Sequence, residues 1–165
     1  MFLQRLLEKH TASNVSGATL QLVRRLGVPV TATTVAERIE SHPDFPSLLS
    51  VSDTLKGWKV NNWVLQVEAE KLADLPLPFL AHTQDKKEDL VIVTAVTTDA
   101  VTYLLPSRKE VVEEKADFEK AWTGVVLLAE PAPNAGENVK NRQLAASVQR
   151  QWSREINTVK PRAMR

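Results

Sequence analysis

Cysteine does not occur anywhere in the 165-residue sequence. Its absence excludes disulfides, thiolate metal sites and a cysteine nucleophile in one step. Long apolar runs are missing as well, and none approaches the roughly 20 residues that a helix needs to span a bilayer. Near Met1, Arg5, Glu8 and Lys9 interrupt the apolar residues, a layout unlike a signal peptide. The chain as given is therefore expected to be soluble and not exported. Acidic residues nearly vanish at the other end: Asn138 to Arg165 carries seven basic residues against Glu155 alone. That segment is +6; since the whole chain is +1, the remainder is −5. The tail is a different kind of segment from the body.

With 43% hydrophobic residues, the length suits one domain with a proper core and a tail. Two strands are predicted at its centre, Asp89–Val96 and Ala100–Leu105, joined by the polar turn Thr97-Thr98-Asp99 and stopped by Pro106. Pro78–His82, Lys109–Glu114 and Gly124–Ala129 read as further strands of the same sheet. Asp117–Ala121 reads as a helical turn closed by Trp122. Upstream, Phe2, Leu3, Leu6 and Leu7 predict a helix ending near His10. A turn follows, then a second helix from Ser16 whose stop is Gly27 with Pro29. Thr34-Val-Ala-Glu37 has capping-box spacing and predicts a short helix to about Ser41.

His42-Pro-Asp-Phe-Pro46 is a rigid elbow, because each proline disfavours α geometry in the residue before it. Ser47 caps the next helix, with Leu48, Val51, Ser52 and Leu55 on one face and Gly57 at its end. Trp58–Val67 then alternates as a first strand. Helices first and strands afterwards is the α+β order. Pro131-Ala-Pro-Asn-Ala-Gly136 reads as a linker, so residues 1–131 are expected to be the domain and 132–165 a linker with a basic, weakly helical tail over Val139–Val159.

From about Ser13 to Pro131 the sequence resembles the bacteriocin-processing cysteine peptidase domain, which removes double-glycine leaders at the N-terminus of peptide-exporting ABC transporters. Three strings carry the resemblance: Leu77-Pro-Phe-Leu-Ala-His82, Asp89-Leu-Val-Ile-Val-Thr94 and Phe118-Glu-Lys-Ala-Trp-Thr-Gly-Val125 with Pro131 behind it. His42-Pro-Asp-Phe-Pro-Ser-Leu-Leu-Ser50 is most similar to a variant fused to vitamin K epoxide reductase-like membrane domains. The resemblance implies a papain-like fold with N-terminal helices packed on a C-terminal antiparallel sheet.

Carried over position by position, the family's chemistry is lost. The nucleophile position falls near Asn14, and no residue up to Gly17 is cysteine. The general-base position is Asp89 rather than histidine. The orienting acid corresponds to Leu105 before Pro106, and no glutamine for an oxyanion hole occurs between Glu8 and Ser13. A thiolate needs an imidazole to take its proton and a third group to hold that imidazole, so no acyl-transfer route remains. Ser13 or Ser16 as substitute nucleophiles would need a base still more, and no histidine is assigned to the site.

The resemblance then implies a non-catalytic domain that holds an extended peptide, a leader or an export substrate, through Asn14, Ser16, Gly17, Asp89 and Trp63. Its setting would be a membrane transport or processing system at the cytoplasmic face. An accessory or scaffold domain docked to a redox or transport partner, with a vestigial groove, stands as the alternative. An active leader peptidase is the third reading. Neither cofactor nor metal is expected, since His10, His42 and His82 lack short ligand spacing. Trp58, Trp63 and Trp122 suit core packing or a groove rim. The basic tail, with Trp152, suits a partner or an anionic membrane surface better than nucleic acid.

Overall fold

The computed structural model describes residues 2–84 and 88–136, with side chains from Asn14 onward. The expected tail helix Val139–Val159, Trp152 and the side chain of His10 lie outside the described residues. Three helices come first: α1 (Phe2–Arg25), α2 (Ala32–Glu40) and α3 (Leu48–Gly57). Strands β1 (Val60–Gln66), β2 (Phe79–Thr83), β3 (Leu90–Val96), β4 (Ala100–Leu104) and β5 (Glu110–Glu114) follow, then α4 (Lys115–Ala121) and β6 (Trp122–Pro131). A short 3-10 helix, Ala69–Asp74, links β1 to β2.

All strand pairs are antiparallel, in the order β1-β6-β2-β3-β4-β5. Leu90 and Ile92 of β3 pack with the helices, whereas Val91 and Val93 join a second cluster with Tyr103, Phe118 and Trp122. Burial on both faces explains why β3 reads as an unbroken apolar run rather than an alternation. Phe118 sits fully buried between the rings of Tyr103 and Trp122, at 5.6 and 6.4 Å. One layer of helices therefore covers one face of the sheet, and α4 with the 3-10 segment covers the other. The α+β architecture expected from the order of elements is the one observed.

Two helix expectations need correction. The turn after His10 does not form: α1 runs unbroken through it. Nothing between Thr11 and Ser16 is proline or glycine, and Thr19 satisfies its hydroxyl inside the helix, donating to the Val15 carbonyl at 2.9 Å. The polar residues Asn14, Ser16, Thr19 and Gln21 are buried with the apolar ones, which erases the stripe that marks a helix in sequence. The cap of α2 is Thr31 and not Thr34. The Thr31 hydroxyl accepts from the Thr34 N–H at 3.2 Å, so the helix starts ahead of the capping-box spacing. Ser47 caps α3 as expected, accepting from the Ser50 N–H.

The chain does not leave the domain at Pro131. Ala132 N–H donates to the Lys59 carbonyl at 3.0 Å, and Gly136 N–H donates to the Trp58 carbonyl at 2.8 Å. Ala135 packs on the helical core cluster. The exit expected at Pro131 therefore falls five residues before the end of the described packing.

Candidate functional site

Successive residues on a helix point about 100° apart, and α1 uses this rotation to spread four neighbours over four tasks. Asn14 is buried, and its Oδ1 has no hydrogen-bond partner among the described residues. Val15 faces a cleft. Ser16 turns towards α2, its Oγ 3.5 Å from Glu40 Oε1. Gly17 lies against the turn after β4, so close that a Cβ there would sit 2.9 Å from Pro106 Cβ. This contact brings Gly17 beside Pro106. Leu105 itself packs into the cluster on the opposite face of the sheet, among Tyr103 and Phe118.

The cleft holds about 400 Å³ between α1, the residues that lead into α3, and the ends of β2, β3 and β6. Val15, Leu48, Leu90 and Val125 supply apolar walls, while His82, Asp89 and Ser47 supply polar groups. Ser47 already accepts from the Ser50 N–H as the cap of α3. Asp89 stands where the sheet begins, its carbonyl accepting from the Thr83 N–H at 2.9 Å.

His82 is fixed by Thr123, which lies far away in sequence on β6. Thr123 Oγ1 donates to the His82 carbonyl at 3.1 Å, is 3.0 Å from His82 Nδ1, and accepts from Val125 N–H at 3.4 Å. A hydroxyl has a single hydrogen. In the tautomer in which that hydrogen goes to the carbonyl, Nδ1 donates its own proton to Thr123 Oγ1 and Nε2 is left as an acceptor. In that tautomer the polar groups of the cleft are weighted towards acceptors, Asp89 and His82 Nε2, and among the described residues no lysine or arginine lines it.

A second hollow, of about 270 Å³, lies beside the elbow and is lined by Arg38, His42, Asp53 and Trp58 among others. His42 Nδ1 accepts from the Asp44 N–H at 3.1 Å, and its Nε2 lies 3.4 Å from Asp53 Oδ2. Both ring nitrogens are engaged, so His42 ties the elbow to α3, the structural role expected for it. Among the described residues no group of three or more potential ligands could hold a metal ion.

Placement corrects several of the expected site residues. Asp89 lines the cleft, but on α1 it is Val15, not Asn14, Ser16 or Gly17, that does so. Trp63 is not there at all: it lies half exposed on β1, separated from β2 by β6. A histidine does reach the site, His82, contrary to the reading that assigned none. His82, Ser47 and Val125 enter through contacts between distant segments; each lies in a string that carried the resemblance, Leu77–His82, His42–Ser50 or Phe118–Val125, but no string marks which of its residues meet.

Residues 16–134 match the family model described as Peptidase C39 family. Lactococcin-G-processing and transport ATP-binding protein LagD of Lactococcus lactis subsp. lactis is 25% identical over 114 residues, 67% of this chain but only 16% of that protein's length. Among solved structures, the peptidase domain of Streptococcus ComA superposes with a TM-score of 0.62 at 18% identity, covering 72% of this chain and 92% of that one. A double glycine motif protease from an AMS/PCAT transporter, in complex with the leader peptide, gives 0.64 at 16% identity, covering 73% and 86%. The peptidase C39-like domain of a toxin secretion ATP-binding protein from Vibrio parahaemolyticus gives 0.60 at 12% identity, covering 72% and 97%. These structures share the helices-then-sheet fold described above, and with well over half of its length matched, the chain belongs to the peptidase C39 family.

Proposed function

We propose that this chain is a non-catalytic member of its family, one that holds an extended peptide in the cleft on behalf of a membrane transport or processing system. The observation that carries the reading is the cleft itself, walled by Val15, Leu48, Leu90 and Val125 and edged by the acceptors Asp89 and His82. Apolar pockets of this size take alternate side chains of an extended chain, and backbone pairing supplies the rest without any nucleophile. The reading of lost catalysis rests on the chain having no thiol and on the imidazole of His82 being engaged with Thr123 through Nδ1. That arrangement differs from a nucleophile–base–acid relay, in which a carboxylate holds the base.

The two acceptors favour a peptide that presents hydrogen-bond donors there, a lysine, an arginine or an amide. Relatives that are transport ATP-binding proteins, and a relative bound to a leader peptide, support a leader or export substrate as the cargo. The partner on this reading is a transporter or a vitamin K epoxide reductase-like membrane protein, with the domain at the cytoplasmic face. No helix among the described residues is long and apolar enough to cross a membrane.

Fluorescence anisotropy with a labelled leader-like peptide tests the reading. Wild type is expected to bind, and Asp89→Asn to weaken a peptide carrying a basic residue by about 1 kcal/mol, roughly fivefold, as for a partly solvated charge pair. Intact peptide after prolonged incubation is the expected companion result. Absence of binding up to about millimolar concentration, roughly 4 kcal/mol of affinity, would hand the chain to the scaffold reading. Cleavage that disappears with His82→Ala, Ser47→Ala or Ser16→Ala would restore an active hydrolase.

A further inference from the structure

On the side of the sheet away from α1, the cover stops short of β1. The register sets Leu65 opposite Val126, Val126 opposite Ala81, and Ala81 opposite Val91. Val126, Ala81 and Val91 are fully buried in the second cluster, beneath Leu72, Phe118 and Trp122, whereas Leu65 at the end of the same row is 41% exposed. Side chains two apart on a strand share a face, so Trp63, 49% exposed, stands beside Leu65. Its opposite residue Leu128 is only partly buried. The border of this apolar face is acidic. Glu130, exposed, stands opposite Asn61 in the next row of that face. Glu68, Glu70 and Asp74 are exposed in and just before the 3-10 segment that seats Leu72 in the cluster, against Lys71 alone.

Residues 137–165 depart from this end of the sheet. Gly136 N–H donates to the carbonyl of Trp58, two residues ahead of β1. Since β1 is an edge strand, the path from Gly136 to the open face rounds that edge and crosses no other strand. Seven residues lie between Gly136 and Leu144; they reach up to about 24 Å, against the roughly 10 Å between packed layers. From there Leu144, Val148, Trp152 and Ile156 recur at every fourth position. At 100° per residue they form one helical stripe about 18 Å long, bordered by Lys140 on one side and by Arg142 and Lys160 on the other. A seven-residue strand such as β1 extends about 20 Å. A helix with so narrow a stripe is marginal in water and forms against a surface.

We propose that this open face is the docking surface of the chain's own tail, with Val139–Val159 laid as a helix across β1 and β6. Leu144, Val148, Trp152 and Ile156 cover Trp63, Leu65 and Leu128, and the flanking cations meet Glu130 and the acidic residues around the 3-10 segment. Two properties select this occupant. The tail carries seven basic residues against Glu155 alone, which answers the acidic border. The tether at Gly136 also holds it near the face at an effective concentration on the order of millimolar, without competition from dilute partners. The docking is independent of what the cleft binds.

Trypsin cuts after lysine and arginine, and where docking and release are fast its rate follows the fraction of time a segment is released. In the 165-residue chain at about 1 µM, cleavage after Arg150 and Arg154, read by mass spectrometry, is expected to be about tenfold or more slower than in a synthetic peptide of residues 137–165. Leu65→Glu puts a charge under the stripe and is expected to raise cleavage to the peptide's rate with the parent's circular dichroism retained. Trp152→Ala is expected to do the same relative to a peptide carrying that change, and Val112→Gln on β5 to leave the protection intact. If Leu65→Glu does not fold, Trp63→Glu takes its place. Cleavage of the parent at the peptide's rate overturns the proposal and leaves the tail to a partner or a membrane. Protection that survives in the folded β1 variant overturns it too, by putting the tail elsewhere, as does protection lost in Val112→Gln or present at about 100 µM but absent at about 1 µM, which would make the occupant a second copy's tail.

Discussion

Gly17 sits where α1 comes close to the turn after β4. In most exposed helix positions Gly→Ala stabilises by up to about 1 kcal/mol, because glycine loses more backbone entropy. Here the added Cβ would stand 2.9 Å from Pro106 Cβ and 3.4 Å from the Pro106 carbonyl. A proline ring set in a turn cannot swing aside as a lysine tip can. Overpacking of this kind costs about 1–3 kcal/mol, so Gly17→Ala is expected to lose its usual gain and Gly17→Val to destabilise by about 2 kcal/mol or more. Urea denaturation midpoints read this directly; a Gly17→Val protein as stable as the parent would show that the turn yields. The approach of Gly17 to Pro106 was not legible in sequence, because a glycine inside a helix carries no mark of what lies beside it. Asp89 was legible through its place before Leu-Val-Ile-Val. Val15 and His82 were not, since the rotation of α1 and the Thr123 contact, 41 residues from His82, are set by packing between segments.

Helix α2 separates two cap readings that differ by three residues. Were Thr34 and Glu37 a capping box, removing either side chain would expose a free N–H and cost about 1 kcal/mol. The structure instead places the cap at Thr31, and Glu37 is exposed in mid-helix. Thr31→Ala is therefore expected to cost about 1 kcal/mol, and Glu37→Ala to stay within about 0.5 kcal/mol of the parent. Chemical denaturation of the two variants side by side checks this, and a larger loss for Glu37→Ala would reinstate the box. At this scale the strands were the most legible elements, because apolar runs bounded by prolines and by the Thr97–Asp99 turn leave little alternative. The continuity of α1 was hidden by its buried polar residues. Sheet order was hidden for another reason: β6 inserts between β1 and β2, and no local pattern in Trp122–Pro131 announces two partners so distant in the chain.

For the whole molecule, the question is where the cooperative unit ends. The proline-rich stretch after β6 suggests an exit at Pro131, since prolines and an Asn-Ala-Gly turn are what linkers are made of. Proline also serves extended segments that pack on a surface, and composition does not tell the two apart. In the structure residues 132–136 run past the start of β1, bond the Lys59 and Trp58 carbonyls, and set Ala135 against the core that α1, α2 and α3 share. Gly136 adopts φ +129° with Pro29 close by, a backbone suited to glycine, which joins this segment to the α1–α2 connection. A chain ending at Pro131 would leave the Trp58 and Lys59 carbonyls without these donors and expose the wall that Ala135 covers. Two net hydrogen bonds at about 0.5–1.5 kcal/mol each, with a small apolar contact, make the expected loss roughly 1–3 kcal/mol relative to a chain ending at Gly136. Thermal and urea unfolding of the two truncations measure that difference. Equal stability would mean that the 132–136 segment rests on the domain without stabilising it, and would return the boundary to Pro131.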